Sequence, residues 1–181
     1  MKINASNQII LVATIATFLI ISCAKIGSVT LHKTYSDIAF TIPSPLPPGS
    51  VEIEEQIEAD LQQVAKDNNF DISKIESANI NSITINIIDS NATPVTFDII
   101  DAATFSFYAD GVNVAEVASD DATQTSPTQM DFDLKGIDVS PYLKSNLFKV
   151  RLKITTNDSV RHDVPMIGSI ECSYKVKPFK K

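Results

Sequence analysis

The chain has no tryptophan and only five glycines and two histidines among its 181 residues. Each of these scarcities argues against one class of site. Sugar-binding surfaces usually stack rings on exposed aromatic side chains, so four tyrosines without tryptophan disfavour a carbohydrate-binding module. The scattered glycines give no phosphate-binding loop, and no Gly-x-Ser-x-Gly nucleophile elbow is present. The sequence therefore predicts a protein that is not an enzyme and binds no cofactor.

The two histidines give no sign of a metal site. His32 and His162 belong to no His-x-His or His-Glu-x-x-His arrangement, so no transition-metal ligand set is predicted. His32 falls among the polar residues of a predicted first strand, residues 29–33, and His162 falls in a polar loop. Both are interpreted as isolated surface histidines.

Residues 131–136, Asp-Phe-Asp-Leu-Lys-Gly, are similar to the start of a calcium loop. That loop needs an oxygen ligand where Lys135 stands and a bidentate glutamate where Tyr142 stands. Both requirements fail, so Asp131 and Asp133 are expected to be solvent-facing strand residues, and no metal is predicted.

The amino terminus has the pattern of a secretory signal, with a positively charged start followed by an apolar run over residues 9–21. Residues 19–23 read Leu-Ile-Ile-Ser-Cys and resemble the lipobox of bacterial lipoproteins, with Ser22 before the cleavage point and Cys23 after it. The resemblance implies that residues 1–22 are a signal peptide. It also implies that the Cys23 thiol receives a diacylglycerol and that its freed amine is acylated.

A transmembrane helix is the alternative interpretation of residues 9–21. Thirteen residues (21 − 9 + 1) rise about 20 Å as a helix, short of the roughly 30 Å hydrocarbon core. Acylation needs no such length, because two or three acyl chains anchor a protein stably whereas one alone is marginal. The predicted partner is therefore the membrane, to which the acyl chains on Cys23 would attach the protein.

Removal of residues 1–22 would leave 159 residues (181 − 22), which suits one domain. Residues 23–27 are predicted to be a short lipidated tether, about 17 Å when extended, and residues 28–181 a single β-sandwich domain. The remaining chain has 14 Lys and Arg against 22 acidic residues, a net charge of −8. That balance argues against nucleic acid as a partner and identifies no other partner.

Apolar and polar residues alternate in several stretches, which is the pattern of strands with one buried face. The apolar positions are Ile38, Phe40 and Ile42; Ile83, Ile85 and Ile87; Phe105, Phe107 and Ala109; Met130, Phe132 and Leu134; and Phe148, Val150, Leu152 and Ile154. About seven such strands cannot all bury their apolar faces in one open sheet, whereas two packed sheets can. The prediction is a mainly β fold, a two-sheet antiparallel β-sandwich.

One amphipathic α-helix is predicted over about residues 50–66, inserted between strands. Ser50 would be its N-cap, and an apolar stripe would follow at spacings of four, four and three residues. The stripe consists of Ile53, Ile57, Leu61 and Val64, and the acidic residues between them are Glu52, Glu54, Glu55, Glu58 and Asp60. These carboxylates are interpreted as a solvated helix face rather than a cation site. A short helical turn is also predicted at residues 140–143, with Ser140 as its cap.

Cys172 lies in a stretch, residues 170–177, whose even-numbered positions are apolar. Period two places its side chain on the buried face of a strand. If Cys23 is acylated, Cys172 has no partner for a disulfide. A packed, inert thiol is therefore predicted rather than a nucleophile.

The order of these elements resembles the small envelope lipoproteins that are abundant in Bacteroidetes-type bacteria. The resemblance is carried by the lipobox and by residues 38–43, 72–78, 98–109 and 138–143. It implies a jelly-roll-like or immunoglobulin-like sandwich and brings no catalytic residues. It also implies O-glycosylation at Ser159, because Asp158-Ser159-Val160 resembles the sequence that is glycosylated in that group.

Location and function follow from the same resemblance. Surface-exported members usually carry acidic residues after the lipidated cysteine, whereas Ala-Lys-Ile-Gly follows Cys23 here. The expected place is a periplasm-facing leaflet of the cell envelope, of the outer membrane rather than the inner one. The expected function is a non-catalytic module that binds an envelope protein or component. The alternative is a carrier that holds a lipid or small apolar ligand between the sheets.

Overall fold

A computed structural model describes residues 27–88, 96–120 and 126–177 of the protein. The predicted signal peptide, residues 1–22, and the lipidation site Cys23 lie outside the described residues.

The predicted mainly β, two-sheet antiparallel sandwich is confirmed. The described strands are β1 (Val29–Ile42), β2 (Gly49–Glu58), β3 (Ile75–Ile87), β4 (Ile100–Ala109), β5 (Val112–Asp120), β6 (Gln129–Asp131), β7 (Asp133–Leu134), β8 (Leu147–Thr156) and β9 (Val164–Val176). One sheet has the order β1-β9-β3-β6, and the other has the order β2-β8-β4-β5-β7. Two helices, α1 (Leu61–Asp67) and α2 (Ser140–Leu143), and 3₁₀ turns at Ile72–Lys74 and Phe97–Ile99 complete the described elements.

The described strands number nine, rather than the predicted seven or so. One reason is that the alternating stretch from Met130 to Leu134 forms two strands instead of one. β6 pairs with β3 in the first sheet, whereas β7 pairs with β5 in the second. The chain therefore passes from one sheet to the other at Phe132, whose ring is buried between them.

The pairing of the strands is that of a jelly roll. When β6 and β7 are counted as one position, the chain has eight strand positions among the described residues. The first position pairs with the last, the second with the second last, and the others follow in the same way. The pairs are β1 with β9, β2 with β8, β3 with β6, and β4 with β5. This is a long antiparallel hairpin folded onto itself, which is the wrapping of a jelly roll. Of the two sandwiches implied by the resemblance, the jelly roll is the one whose pairing fits.

The predicted helix over residues 50–66 is wrong in its first half. Residues Gly49–Glu58 form β2, and α1 begins only at Leu61, so Ser50 caps no helix. Ile53 and Ile57 are four residues apart, and this spacing suits a strand of period two as well as a helix.

The acidic residues of β2 are explained by the neighbouring strand. Glu52 lies opposite Lys153, and Glu54 lies opposite Arg151. The Arg151 guanidinium is 2.7 Å from a Glu54 carboxylate oxygen and 3.6 Å from a Glu52 carboxylate oxygen. The Tyr108 hydroxyl and the guanidinium of Arg151 lower the pKa of Glu54. Such opposite-charge pairs stabilise the pairing of β2 with β8. The sequence of β2 alone does not predict this pairing.

Aromatic rings fill the space between the sheets. Phe40 of β1 meets Phe105 of β4 with ring centroids 6.1 Å apart, and Tyr35 of β1 meets Phe148 of β8 at 5.5 Å. Both pairs cross from one sheet to the other in near-perpendicular geometry, which aromatic pairs prefer. Gly168 of β9 makes room for one of these rings, because a Cβ atom there would lie 2.7 Å from Cε2 of Phe40.

Candidate functional site

When β6 and β7 are counted as one position, successive strands run in opposite directions, so the loops gather at two ends of the sandwich. We call one of them the tether end, because β1 begins there at Val29, six residues after Cys23 in the sequence. It comprises residues 27–33, 58–76, 110–114, 138–147 and 173–177. Val29 pairs with Val176, and Glu58 pairs with Leu147, so strands of both sheets start or finish there.

Helix α2 is fixed at the tether end by the Asp138 carboxylate. One of its oxygens accepts hydrogen bonds from the backbone N–H groups of Ala78 and Ser140, each at 2.9 Å. Partial burial acts to raise the pKa of Asp138, but these hydrogen bonds outweigh it, and the pKa lies below its ordinary value. The predicted helical turn is confirmed, but Ser140 is its first residue and not its cap.

A buried pair of tyrosines supports the segment that leads into α1. The Tyr35 hydroxyl donates a hydrogen bond to the carbonyl oxygen of Ala59 at 3.0 Å and lies 2.7 Å from the hydroxyl of Tyr174. Burial raises the pKa of both tyrosines well above the ordinary value, so both hydroxyls are protonated at neutral pH. This bond connects the first sheet to the loop that follows β2.

Exposed large apolar side chains concentrate at the tether end. Val29 is 45% exposed, Val114 is 55% exposed and Leu147 is 41% exposed. Each is among the first three residues of its strand, β1, β5 or β8 respectively. Ile88 at the opposite end, 46% exposed, is the other large apolar residue of this kind among the described residues.

Several lysines also lie at the tether end. Two are engaged in ion pairs at the tether end, Lys33 with Asp60 at 3.6 Å and Lys177 with Glu76 at 3.0 Å. The Lys144 ammonium donates to the carbonyl oxygen of Ile75. Three more are exposed and make no ion pair within the part of the chain that the structure describes: Lys66, Lys74 and Lys175.

Sequence reasoning missed this grouping of apolar and basic residues. Val29, Val114 and Leu147 are more than thirty residues apart in the chain and form no motif. The only local signal was the short distance between Cys23 and the first strand.

Ser159, the predicted glycosylation site, lies at the opposite end of the sandwich. It is exposed, in the loop between β8 and β9, and its backbone N–H donates to the side chain of Asp158 at 2.6 Å. The next residue, Val160, is buried and pairs with Leu46 of the neighbouring loop. β8 has ten residues at about 3.3 Å each, so Ser159 lies roughly 30 Å from the tether end.

The structure does not bring the other candidate residues together. His32 lies near the tether end, whereas His162 lies at the opposite end, and both are exposed. Asp131 and Asp133 are exposed, as predicted. No group of three His, Cys, Asp or Glu side chains suited to a metal ion occurs within residues 27–88, 96–120 and 126–177.

Cys172 is completely buried in β9, as predicted. Burial in apolar surroundings raises the pKa of its thiol to about 12. The reactive thiolate is therefore scarce at neutral pH, and the side chain behaves as a small apolar group.

We expect the Cys172 thiol to resist alkylation in the native protein and to react rapidly after denaturation. Cys172→Ala should lower the free energy of unfolding by about 1 kcal/mol, through lost contacts and a small void. The measurements are mass-spectrometric counting of alkylated cysteine with and without urea, and urea unfolding of the variant. Rapid labelling of the native protein would contradict the packed interpretation.

None of the helices in the described ranges is long and apolar enough to cross a bilayer.

Comparison with known proteins adds little to this geometry. No family model matches the chain, and no curated protein is significantly similar to it. Among solved structures, a chain of Desmodium yellow mottle tymovirus matches 91% of this chain and 97% of its own length, with 7% sequence identity and a TM-score of 0.32. A TM-score this low does not establish a common fold, and the likeness carries no functional inference.

Proposed function

We propose that the protein is a membrane-anchored bacterial envelope lipoprotein whose β-sandwich is a non-catalytic binding module. The observation that carries the proposal is the sequence Leu-Ile-Ile-Ser-Cys at residues 19–23, at the end of a short apolar run. The fold is compatible with it, because β1 begins at Val29, so five residues separate the acylated cysteine from the first strand of the sandwich. The acyl chains supply the attachment, and the sandwich supplies the surface that meets a partner in the envelope.

The packing between the sheets favours a binding module over a lipid carrier. A carrier needs an apolar space between the sheets, whereas the ring of Phe105 contacts the rings of Phe40 and Phe132 there. Phe107 and Phe148 continue this packing, with ring centroids 5.2 Å apart. A partner is therefore expected on the outer surface of the domain and not in its interior.

The proposed location is the periplasm-facing leaflet of the outer membrane, based on the residues that follow Cys23. Ser159 is the proposed O-glycosylation site. It is exposed and lies at the end of the sandwich opposite the tether end, so the folded domain leaves room for a glycan there.

Mass spectrometry of the protein isolated from bacterial membranes tests the proposal. The mature chain should begin at Cys23, and its amino-terminal peptide should carry two or three acyl chains. The peptide containing Ser159 serves as an independent measurement of glycosylation. An unmodified amino-terminal peptide that retains residues 1–22 would contradict the proposed anchor.

A further inference from the structure

We propose that the tether end of the sandwich rests on the phospholipid bilayer that holds the acyl chains, so that the domain stands upright with Ser159 away from the membrane. This inference rests on the proposed acylation of Cys23. It goes further because it assigns a second, non-covalent membrane contact to residues of the folded domain itself.

The tether between Cys23 and the first strand is short. Between Cys23 and Val29 the chain has five residues, which reach at most about 18 Å. The anchor therefore keeps the tether end at a high effective concentration next to the bilayer, and a weak intrinsic affinity is enough to seat it. β1 runs away from this point for fourteen residues, so the opposite end stays remote from the bilayer when the tether end is seated.

The tether end also exposes apolar side chains to solvent. Val29 and Leu147 are exposed at the first residues of two strands in different sheets. Apolar side chains at the rim of a domain gain from insertion between lipid headgroups, because they leave water. Lys66, Lys74 and Lys175 are exposed at the same end, and long lysine side chains can reach phosphate groups while their stems cover apolar surface.

The two ends of the sandwich differ in net charge. The tether end has six lysines against seven carboxylates, a net charge of −1 (6 − 7). In the described part of the opposite end, residues 42–49, 87–88, 96–101, 119–120, 126–129 and 156–164, there are one arginine and five aspartates, a net charge of −4 (1 − 5). Repulsion from anionic lipid is therefore smallest when the tether end faces the bilayer.

The test uses the full acylated protein reconstituted into vesicles of phosphatidylethanolamine and phosphatidylglycerol. An environment-sensitive fluorophore is attached to Leu147→Cys at the tether end. The matched control is Ile88→Cys. Ile88 is exposed to a similar extent, 46% against 41% for Leu147, but lies at the opposite end of the sandwich. Both variants also carry Cys172→Ala, so that one thiol is labelled.

A fluorophore at position 147 should give blue-shifted emission that is quenched by nitroxide-labelled lipid headgroups, whereas a fluorophore at position 88 should show neither effect.

A triple variant, Lys66→Glu, Lys74→Glu and Lys175→Glu, should reduce the quenching at position 147, whereas Lys153→Glu in the middle of β8 should not. Flotation of the vesicles measures the anchor separately. If the protein still floats with the vesicles, two results would overturn the proposed contact between the tether end and the bilayer but leave the anchor intact. One is equal quenching at positions 147 and 88, and the other is full quenching at position 147 in the triple variant. Failure to float would refute the proposed anchor.

Discussion

Replacement of Cys23 by Ser is expected to abolish acylation and to release the protein from the membrane fraction or leave it uncleaved. In the lipoproteins whose lipobox this stretch resembles, the diacylglycerol is attached to the cysteine thiol and the amine is acylated after cleavage. Serine offers no thiol for the first of these steps. Each buried methylene contributes about 0.8 kcal/mol to membrane affinity, so the loss of two or three chains should remove nearly all stable attachment. The measurement is incorporation of radioactive fatty acid, together with fractionation of membranes and periplasm.

The matched control for this experiment is Cys172→Ser. Cys172 is buried within the core, so its replacement should leave labelling unchanged even where it lowers stability. Fatty-acid label retained by the Cys23→Ser variant would place the acylation site elsewhere in the chain. Loss of label in the Cys172→Ser variant would be equally contrary to the proposal.

The second large effect is expected at Phe105, the residue at the centre of the aromatic cluster. The residue is 1% exposed, and its ring contacts the rings of Phe40, Phe107 and Phe132. Phe105→Ala should lower the free energy of unfolding by about 3–5 kcal/mol, because apolar contacts are lost and a cavity remains. That is a large share of a typical domain stability of about 5–15 kcal/mol. Urea unfolding followed by circular dichroism measures it.

Two further variants make the result at Phe105 specific. Phe105→Leu keeps much of the side-chain volume and should cost less than the alanine variant. Val114→Ala removes methyl groups from a side chain that is 55% exposed and should change stability by no more than about 0.5 kcal/mol. A cost below about 1 kcal/mol for Phe105→Ala would mean that the space between the sheets is loosely filled. That outcome would favour the ligand carrier over the binding module.

The alternation of apolar and polar residues was a reliable guide wherever a strand keeps one face buried over several residues. The inward positions of β8, Phe148 to Ile154, and of β9, including Cys172, are all buried, as predicted. β1 was predicted in two pieces, and the structure joins them through an irregularity at which Asp37 has a φ of 60°. Such a bulge shifts the pattern by one residue, so the sequence shows two short runs where there is one strand.

Two strands escaped prediction for physical reasons. β2 was read as a helix, because Ile53 and Ile57 suit both periods and because its glutamates resemble the charged start of a helix. β5, Val112–Asp120, was not predicted as a strand at all. Its pairing with β4 is interrupted twice by bulges, so its buried positions follow no simple period.

The order of neighbouring residues is enough to predict the fold class, the buried faces of the long strands and an anchor at Cys23, because each of these depends on a local pattern. The jelly-roll pairing is visible only in the folded protein, because that pairing joins segments as distant as β1 and β9. The tertiary structure alone also identified β2, whose glutamates are matched by the basic residues of β8, and brought Val29 and Leu147 to one end. These features depend on contacts between residues far apart in the chain, and no local pattern of amino acids records such contacts.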